Sequence, residues 1–521
     1  MSKDIIRYDM EEYIEYMRDE SRITGKADSI SFPTNEAELK RVLEKLAEST
    51  EAITIQGART GLTGGAVPMQ GHVINLSKMN RITGLRFDSD KDCYFLRVEP
   101  GVLLSEVNTA ISKLEFDTSA WSAESLEALK LLKASKSRFF SPDPTETSAT
   151  IGGMVSCNAS GAKSFKYGAT RNHIESLRIV LADGDTISLK RGRERIAGGI
   201  LRLTTQGGRE ICEKLDVYNM PHVKNASGYY LERDMDAIDL FVGSEGTLGI
   251  TVEAEIALIP KPGCIYGVMA FFPDQEKAID FVESAKVLES KPAAIEFFNC
   301  MALELIRANM YRGHLPDIQR VDPVCHTGIY AELHSIDEDT GKSMLKALSA
   351  LIEGCGGNLA ETWLAISKHD MERLKEFRHA VPEFVNSIID DRRKSEPTLT
   401  KLGTDMAVPD GLLRDVMRMY DEGIQNAGLE SVIFGHIGDN HLHVNILPRS
   451  MTEYDLGKKL YGEWAQAVAG MGGTVSAEHG IGKFKVAMLR KMYSQDALDS
   501  MMKIKKIFDP GNRLNRGNLF G

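Results

Sequence analysis

The segment ITIQGARTGLTGGAVP, residues 53–68, places a β-branched run directly before a cluster of glycines. The run ITI predicts a short buried strand. Glycines at this density let successive backbone N–H groups point into one concavity, which binds phosphate oxygens. No Gly-Lys-Ser/Thr follows and no GxGxxG opens a helix after the strand, which excludes a Walker loop and a Rossmann fingerprint. A glycine-rich surface turn is the alternative interpretation.

Two further segments crowd small and turn-forming residues around short apolar runs. They are SPDPTETSATIGGMVSCNASGAKSFKYG, residues 141–168, and FVGSEGTLGI, residues 241–250. Together the three segments resemble the FAD-binding domain of the vanillyl-alcohol oxidase / para-cresol methylhydroxylase (PCMH) superfamily, with the first as its pyrophosphate loop. Within it the chain is most similar to the branch that contains D-lactate dehydrogenases, D-2-hydroxyglutarate dehydrogenases and the flavin subunit of glycolate oxidase. The resemblance runs from about Asp19 to the C terminus.

The resemblance implies FAD as a cofactor. Members with a covalently linked flavin carry a histidine in the first loop, and none lies between Gly57 and Val67, so we expect non-covalent FAD. The residues that the resemblance places at FAD are Gln56, Gly57, Ala58, Arg59, Thr60, Gly61, Leu62, Thr63, Gly64, Gly65, Ala66, Pro142, Asp143, Thr147, Gly152, Gly153, Asn158, Gly161, Tyr167, Gly168, Glu245, Gly246, Gly249, Ile250 and Asn515.

The resemblance also implies an α+β fold. We expect a two-subdomain FAD-binding domain of the PCMH type, an antiparallel-sheet α+β cap domain and a C-terminal helical segment that returns to the active site. The PKPG turn before residue 264 punctuates the boundary between the two domains. The expected boundaries are 1–30 for a helical lead-in, 31–263 for the FAD-binding domain, 264–455 for the cap and 456–521 for the C-terminal segment.

Local patterns predict individual elements. A capping box of Asn35 and Glu38 opens a helix, and Asp183-Gly184 turns a hairpin. Residues 115–140 are an insertion with its own helix near 124–134, and residues 190–232 form a polar excursion. In the cap, strand-like runs alternate with helices: 267–272, 275–288, 293–298, 328–333 and 340–355.

Composition restricts the partners. The 521 residues carry a net charge of −11, which argues against nucleic acid but not against a small anionic substrate. The seven cysteines are scattered without CxxC spacing, which argues against an iron–sulfur cluster and fits a reducing compartment. We find neither a signal-peptide pattern nor an apolar run of about 18 residues, so we expect no transmembrane segment and a cytoplasmic location. Peripheral membrane docking, a homodimer and a hetero-complex stay open.

A second centre is IFGHIGDNHLHVNIL, residues 433–447. His441, His443 and Asn445 alternate, so on a strand they share one face. His436 precedes a Gly-Asp-Asn turn that could fold it back toward that face. Imidazoles gathered in this way indicate a metal site. Separate surface histidines are the alternative.

The segment SAEHGIGKFK, residues 476–485, places a glutamate and a histidine directly before two glycines. The two segments resemble the family pattern HxGDxNxH followed by GEHG. The resemblance implies that a divalent metal, zinc or alternatively manganese, iron or cobalt, is held by His436, His443 and Glu478. It implies that Asn445 orients the substrate and that His479 is the catalytic base.

The chain departs from the family pattern at one place. Asn440 and His441 stand where Gly-Asn is usual. Three interpretations of His441 stay open: an extra metal ligand, a pocket residue and a surface histidine. The departure puts in doubt the role that the family gives to the asparagine.

Arg378 lies in a helix predicted over residues 368–386. The resemblance implies a bidentate clamp for the substrate carboxylate, and a solvated helix arginine is the alternative. Lys401 is a second candidate cation for the substrate, although its spacing to Asp405 is looser than the family form.

The resemblance therefore implies an FAD-dependent dehydrogenase that oxidises a D-2-hydroxy acid such as D-lactate. A glycolate oxidase flavin subunit and a D-2-hydroxyglutarate dehydrogenase are the alternatives within this class. The electron acceptor stays open among a quinone, an electron-transferring flavoprotein, a cytochrome and an iron–sulfur protein. Outside the class, the histidines could form a metallohydrolase centre, or the chain could be a non-catalytic flavin subunit that relays electrons.

Overall fold

A computed structural model describes residues 5–47, 50–315 and 318–521. The chain begins with β1 (Ile6–Arg7), β2 (Ser29–Ser31), α1 (Glu36–Lys45), β3 (Ile53–Gln56) and β4 (His72–Asn75), with a 3-10 helix at Met10–Met17. β2 and β3 lie parallel on either side of β4, and β1 is antiparallel to β2. The helical lead-in that we predicted is wrong in this respect, because residues before 32 contribute two strands to this first sheet.

The predicted start of α1 is confirmed, with a modified cap. The Asn35 side chain accepts a hydrogen bond from the Glu38 N–H at 3.0 Å. The Glu38 carboxylate reaches back to the N–H of Thr34 at 2.9 Å, one residue earlier than in a capping box. The apolar face of α1 is buried against β3 and β4 in one hydrophobic cluster.

A second, antiparallel sheet follows. The next elements are β5 (Ile82–Asp88), β6 (Cys93–Val98), α2 (Leu104–Lys113), α3 (Ala123–Ala134), β7 (Arg138–Phe139), α4 (Ile151–Cys157), α5 (Ser164–Tyr167), β8 (Ile174–Val180) and β9 (Thr186–Lys190). α3 is the helix predicted inside the insertion, and it packs on β5. β8 and β9 form the predicted hairpin, with Gly184 at φ +83° in its turn.

The polar excursion folds into a small sheet of its own. Its elements and the next ones are β10 (Arg195–Ala197), β11 (Ile200–Thr204), β12 (Glu210–Lys214), β13 (Met235–Asp236), α6 (Ile238–Phe241) and β14 (Ile250–Pro260). The order of the small sheet is β12-β11-β10-β13. β14 then inserts between β6 and β8, which completes the second sheet in the order β5-β6-β14-β8-β9.

The predicted cap, an antiparallel sheet covered by helices, is confirmed. Its elements are β15 (Cys264–Phe272), α7 (Gln275–Lys286), β16 (Ala294–Phe298), α8 (Cys300–Tyr311), β17 (Thr327–Ser335), α9 (Glu338–Gly354), β18 (Trp363–Ala365), α10 (Lys368–Arg392), β19 (Leu402–Gly403), β20 (Met406–Ala407), α11 (Leu413–Ala427), β21 (Ser431–Gly435) and β22 (His441–Ile446). The strand order is β18-β15-β17-β16-β21-β22-β19, and β20 pairs with β22.

The chain ends with α12 (Met451–Gly470), α13 (Val486–Met492) and α14 (Gln495–Phe508). After α14 it returns to β3, where the Asn515 N–H donates to Ile53 O at 2.8 Å and Leu514 joins the core of the first sheet. Among the residues that the structure describes, we find no helix with the length and apolarity needed to cross a membrane.

Candidate active site

The glycine-rich loop of residues 57–66 leaves β3 with its amides free. Within the described ranges, none of these ten N–H groups donates a hydrogen bond to a protein acceptor. A Cβ added to Gly61 would meet no atom of the described residues within 4 Å, so space opens in front of the loop. The Gln56 side chain closes the base of the loop by donating to Ala66 O at 2.7 Å. These observations fit a concavity for the phosphates of FAD.

The second and third segments lie beside this loop. A Cβ on Gly57 would stand 2.2 Å from Thr150 Oγ1, so the loop runs directly against the residue that caps α4. The Asn515 amide joins the end of β3 to the third segment, since it accepts from the Ile55 N–H at 2.7 Å and donates to Glu245 O at 2.6 Å.

Several residues that the resemblance places at FAD have protein neighbours of their own. A Cβ on Gly152 would lie 2.6 Å from Pro100 Cβ, and one on Gly249 would lie 2.5 Å from Ile179 Cγ2. Tyr167 bonds to His334 of the cap at 2.7 Å. The Arg59 guanidinium covers the Tyr16 ring, the Asn158 side chain accepts a hydrogen bond from the Arg171 N–H, and Thr147 O accepts one from the Ser105 N–H. Three glycines run close to a neighbouring residue: Gly161 to Asp143, Gly168 to Asn172 and Gly246 to Asn515.

The histidine centre forms where β21 and β22 pair. His436 follows β21, and the ring of His443 on β22 lies 5.6 Å from its ring. His441 and His443 are 4.6 Å apart, and His443 stacks on His479 at 5.5 Å. His441 has no exposed surface, which excludes the interpretation as a surface histidine.

The inner nitrogens surround the Glu478 carboxylate. Glu478 Oε1 lies 3.5 Å from His436 Nε2 and 3.3 Å from His443 Nε2. Tetrahedral zinc with bonds of about 2.1 Å has ligand atoms about 3.4 Å apart. One nitrogen of His441 joins these atoms, and all four ligand atoms lie within 4.8 Å of one another. The residues present therefore fit a divalent metal.

The outer nitrogens of the same rings face acceptors. His443 Nδ1 donates to Thr404 O at 3.0 Å, His436 Nδ1 lies 3.1 Å from Glu296 Oε1, and His441 Nε2 lies 2.9 Å from Asp405 Oδ1. The bond from His443 Nδ1 fixes the proton on that nitrogen and leaves Nε2 as a ligand. The contacts of His436 and His441 with the two carboxylates are close but lack hydrogen-bond geometry. Both nitrogens of His441 are buried and have no hydrogen-bond partner among the described residues, so a metal at Nδ1 would satisfy one of them.

Burial and neighbouring charges shift the pKa values of three histidines at this centre. Burial lowers the pKa of His441 to about 3 and that of His479 to about 4, so both rings are neutral at pH 7. Burial also acts on His436, but Glu478 and Glu296 outweigh it and raise the pKa of this ring to about 9. In the absence of a metal, a proton on His436 supplies part of the positive charge that Glu478 needs.

The sequence analysis named Asp405 only for its spacing to Lys401 and gave it no role. It is fully buried, and its Oδ2 accepts from Ser476 Oγ and Lys485 Nζ, each at 2.6 Å. His479 Nδ1 lies 3.4 Å from the same oxygen. Burial alone would raise the pKa of Asp405, but His479 and Lys485 hold it well below its usual range. Asp405 therefore lies beside the His479 ring as a carboxylate, with its hydrogen bonds directed to Ser476 and Lys485.

Lys224 is a second residue that sequence reasoning missed. Its ammonium lies 2.8 Å from Glu478 Oε2 and 3.9 Å from Asp439 Oδ2. It comes from the VKNASGY segment upstream of the third FAD segment, and no pattern there marks a buried lysine. Its place beside Oε2 leaves Oε1 as the oxygen that faces His436, His443 and His479.

The three residues predicted to bind the substrate, Arg378, Asn445 and Lys401, have different surroundings in the structure. Arg378 donates through Nε to Glu296, whose other oxygen faces His436, and its guanidinium covers the Tyr330 ring at 4.5 Å. The Asn445 amide is directed to main chain, at 3.1 Å from His443 O. Burial, with a smaller contribution from the charge of Arg22, lowers the pKa of Lys401 to about 8.

The two halves of the site are in direct contact. Thr63 Oγ1 of the glycine-rich loop donates to His479 O at 3.3 Å, and the Lys483 N–H donates to Thr63 O at 3.0 Å. A dinucleotide on the amides of this loop would therefore lie next to the segment that carries His479.

Comparisons with known proteins agree with this arrangement. The model of the FAD binding domain matches residues 27–121 and 118–190, and the model of FAD linked oxidases, C-terminal domain, matches residues 265–519. A crystal structure of alkyldihydroxyacetonephosphate synthase superposes with a TM-score of 0.63 at 14% identity, over 99% of this chain and 84% of that one. At this sequence identity the superposition shows a shared fold but not a shared activity.

Curated relatives align over nearly the full chain. The glycolate oxidase subunit GlcD of Bacillus subtilis is 26% identical over 95% of this chain and 89% of its own. A D-lactate dehydrogenase of Archaeoglobus fulgidus is 28% identical (94% and 90%), and a D-2-hydroxyglutarate dehydrogenase of Stutzerimonas stutzeri is 25% identical (94% and 90%). The predicted FAD-binding α+β fold is confirmed, and the chain belongs to the family of FAD-linked oxidases.

Proposed function

We propose that this FAD-linked oxidoreductase is a dehydrogenase that oxidises a D-2-hydroxy acid of the D-lactate type to the 2-oxo acid. The observation that carries the proposal is the convergence of His479, Glu478 and three further imidazoles beside the glycine-rich loop. Relatives of this chain that are D-lactate dehydrogenases support the same class of substrate.

The loop of residues 57–66 would hold the diphosphate of a non-covalent FAD through its free amides. FAD, when bound, supplies an isoalloxazine that accepts a hydride at N5. The chain contributes the place of the substrate carbon against that ring and the groups that handle the hydroxyl proton.

His436, His443 and Glu478 would hold a divalent metal, zinc or alternatively manganese, iron or cobalt, and His441 is close enough to be a fourth ligand. Such an ion supplies Lewis-acid polarisation of the 2-hydroxyl. His479 would accept the hydroxyl proton at Nε2, which faces the centre 3.6 Å from Glu478 Oε1. Burial keeps this ring neutral, so Nε2 is free to accept a proton, and Asp405 Oδ2 lies 3.4 Å from its other nitrogen.

Arg378 would hold the substrate carboxylate. Its Nε edge is oriented by Glu296, and within the described part of the chain its terminal nitrogens donate to no protein acceptor. A planar guanidinium with one free edge suits a single carboxylate. Asn445 and Lys401 stay as candidates for orienting the rest of the substrate.

Partners and location are part of the same proposal. The reduced flavin would pass its electrons to a quinone, an electron-transferring flavoprotein, a cytochrome or an iron–sulfur protein. We propose a cytoplasmic protein that can dock at a membrane surface. The similarity to the subunit GlcD makes a glycolate oxidase flavin subunit the second candidate.

An anaerobic titration tests the proposal. The purified holoprotein is mixed with D- and L-2-hydroxy acids, with and without a chelator, while the absorbance of oxidised flavin is followed. We expect bleaching by a D-2-hydroxy acid, none by its L enantiomer, and slower bleaching after chelation. A yellow protein that no hydroxy acid bleaches would contradict the proposal and favour an electron-relay subunit. A colourless protein would favour a metallohydrolase.

A further inference from the structure

Glu245 stands at a junction of three parts of the chain. It is 6% exposed and has φ +54°, a left-handed conformation that costs free energy in a residue with a side chain. Its N–H donates to Ser156 O of α4 at 2.8 Å, and its carbonyl accepts from Asn515 at 2.6 Å. The main chain at Glu245 is therefore fixed by the FAD-binding half of the molecule.

Its carboxylate points at the segment that follows His479. Oε1 accepts the Ile481 N–H at 2.6 Å, and Oε2 accepts the Gly482 N–H at 2.8 Å. Burial raises the pKa of Glu245, while the two amides lower it, so the bonds favour the carboxylate over the neutral acid. Both bonds are buried, where a hydrogen bond is electrostatically stronger than in water. Each carboxylate oxygen is thus occupied by a protein amide.

Gly480 shows how closely the two parts fit. A Cβ there would stand 2.9 Å from Glu245 Oε1, and the residue has φ +77°. The glycine is needed because any side chain would push the carboxylate away from the two amides and strain the backbone.

Asp405 holds the other side of the same loop. Its carboxylate accepts the N–H groups of Glu478 at 3.2 Å and His479 at 3.1 Å. The amides of this loop are therefore hydrogen-bonded to two buried carboxylates, Asp405 from the cap and Glu245 from the FAD-binding half. The place of this loop relative to the glycine-rich loop of residues 57–66 is set by where the two halves place these carboxylates.

We propose that Glu245 is a positioning residue that sets the place of His479 and Glu478, and not a residue that contacts FAD, as the resemblance implies. This inference rests on the proposed function for the roles of those two residues. Glu245 touches neither; it acts through the amides that follow them in the loop.

The test is Glu245→Gln, a substitution of equal shape that turns one of the two acceptor oxygens into an N–H donor. We expect FAD affinity to change less than about threefold, the rate of flavin reduction per bound flavin to fall about 100-fold, and substrate affinity to change little. Hydrogen exchange of the peptide over residues 476–485 should speed up in the FAD-loaded variant. The matched control is Glu253→Gln, a half-buried glutamate of β14 that faces Arg97 and should leave all four measurements unchanged.

Loss of FAD affinity with a normal reduction rate per bound flavin would overturn the inference and restore the role as a cofactor contact. Unchanged exchange and an unchanged rate would overturn it too. If Glu245→Gln fails to fold, the test uses Gly480→Ala, whose methyl group displaces the same carboxylate. We expect slower flavin reduction with FAD retained. A wild-type rate of reduction in this variant counts against the inference. If no hydroxy acid reduces the wild-type flavin, the proposed function fails, and the exchange measurement still judges the role of Glu245.

Discussion

Two glycine-rich loops meet at the centre of this molecule, and their amides are used in opposite ways. In the loop of residues 57–66, no N–H group donates to a protein acceptor within the described ranges. In the loop of residues 476–482, the amides of Glu478, His479, Ile481 and Gly482 all donate to buried carboxylates. A high density of glycine therefore tells us that something approaches the backbone closely. It does not tell us whether that partner is a ligand or the protein itself.

The strongest test of the second loop is His479→Ala. If His479 is the base, as we propose, its removal should slow flavin reduction by a D-2-hydroxy acid about 1,000-fold, since a positioned base contributes about 100- to 10,000-fold. FAD should stay bound, because the amides of the first loop are untouched. Stopped-flow measurement of flavin bleaching under anaerobic conditions checks both, with the exposed His222→Ala as the control. Rapid bleaching by the His479 variant would refute the role of this residue.

Asp405→Asn tests whether the second loop depends on its carboxylates. The substitution keeps the shape but removes an acceptor from Ser476, Lys485 and the main-chain N–H of His479. We expect the reduction rate per bound flavin to fall about 100-fold through misplacement of the ring. Stability should fall by about 3 kcal/mol, because Lys485 is left without its buried partner.

The control for this variant is Asp390→Asn, which removes one carboxylate from an exposed ion pair with Arg22. It should change stability by about 0.5 kcal/mol or less. If Asp405→Asn reduces its flavin as fast as the wild type, the loop is held well enough by Glu245 alone.

Gly61→Ala tests whether the first loop is open for a ligand. The new methyl group would meet no protein atom within 4 Å, so the FAD-free protein should keep its melting temperature. FAD occupying that space would collide with the methyl group, and the dissociation constant for FAD should rise about tenfold, which is about 1.4 kcal/mol. Gly354→Ala, at the end of α9 and equally free of neighbours, is the control. Unchanged FAD affinity would place the cofactor elsewhere.

The sequence predicted the elements of this fold well, because helices and strands follow local periodicity and caps. The histidines were also predictable as a group, since alternation on β22 puts His441 and His443 on one face. The resemblance to the family supplied Arg378, which lies where Glu296 connects it to His436.

The buried charges were not predictable in the same way. Asp405 and Lys224 reach the centre from β-edge and loop positions that carry no periodic signal, and their partners are about 70 to 250 residues away in sequence. The N-terminal strands escaped for a related reason: β1 and β2 are two and three residues long, and they exist only by pairing within the first sheet.

The smallest predicted effect is a change of stability with pH at Lys483. This lysine follows the second loop directly and its side chain donates to the first. Its ammonium donates to Gly64 O at 3.3 Å and to Asn518 Oδ1 at 2.8 Å, and burial lowers its pKa from 10.5 to about 8. Between these values the folded chain binds fewer protons at this site than the unfolded chain. The site therefore adds stability as the pH rises through this window, and adds none below it.

Lys483→Met removes this dependence. The melting temperature of the wild type minus that of the variant should be about 1–2 °C larger near pH 9.5 than near pH 7. Lys346→Met, on the exposed face of α9, should give a difference that does not change with pH. A difference for Lys483 that shrinks at high pH would mean that the ammonium, and not the neutral amine, is the form that the folded protein prefers. The contact between the loops would then be an ionic attraction toward Glu245 instead of a hydrogen bond to the main chain of the first loop.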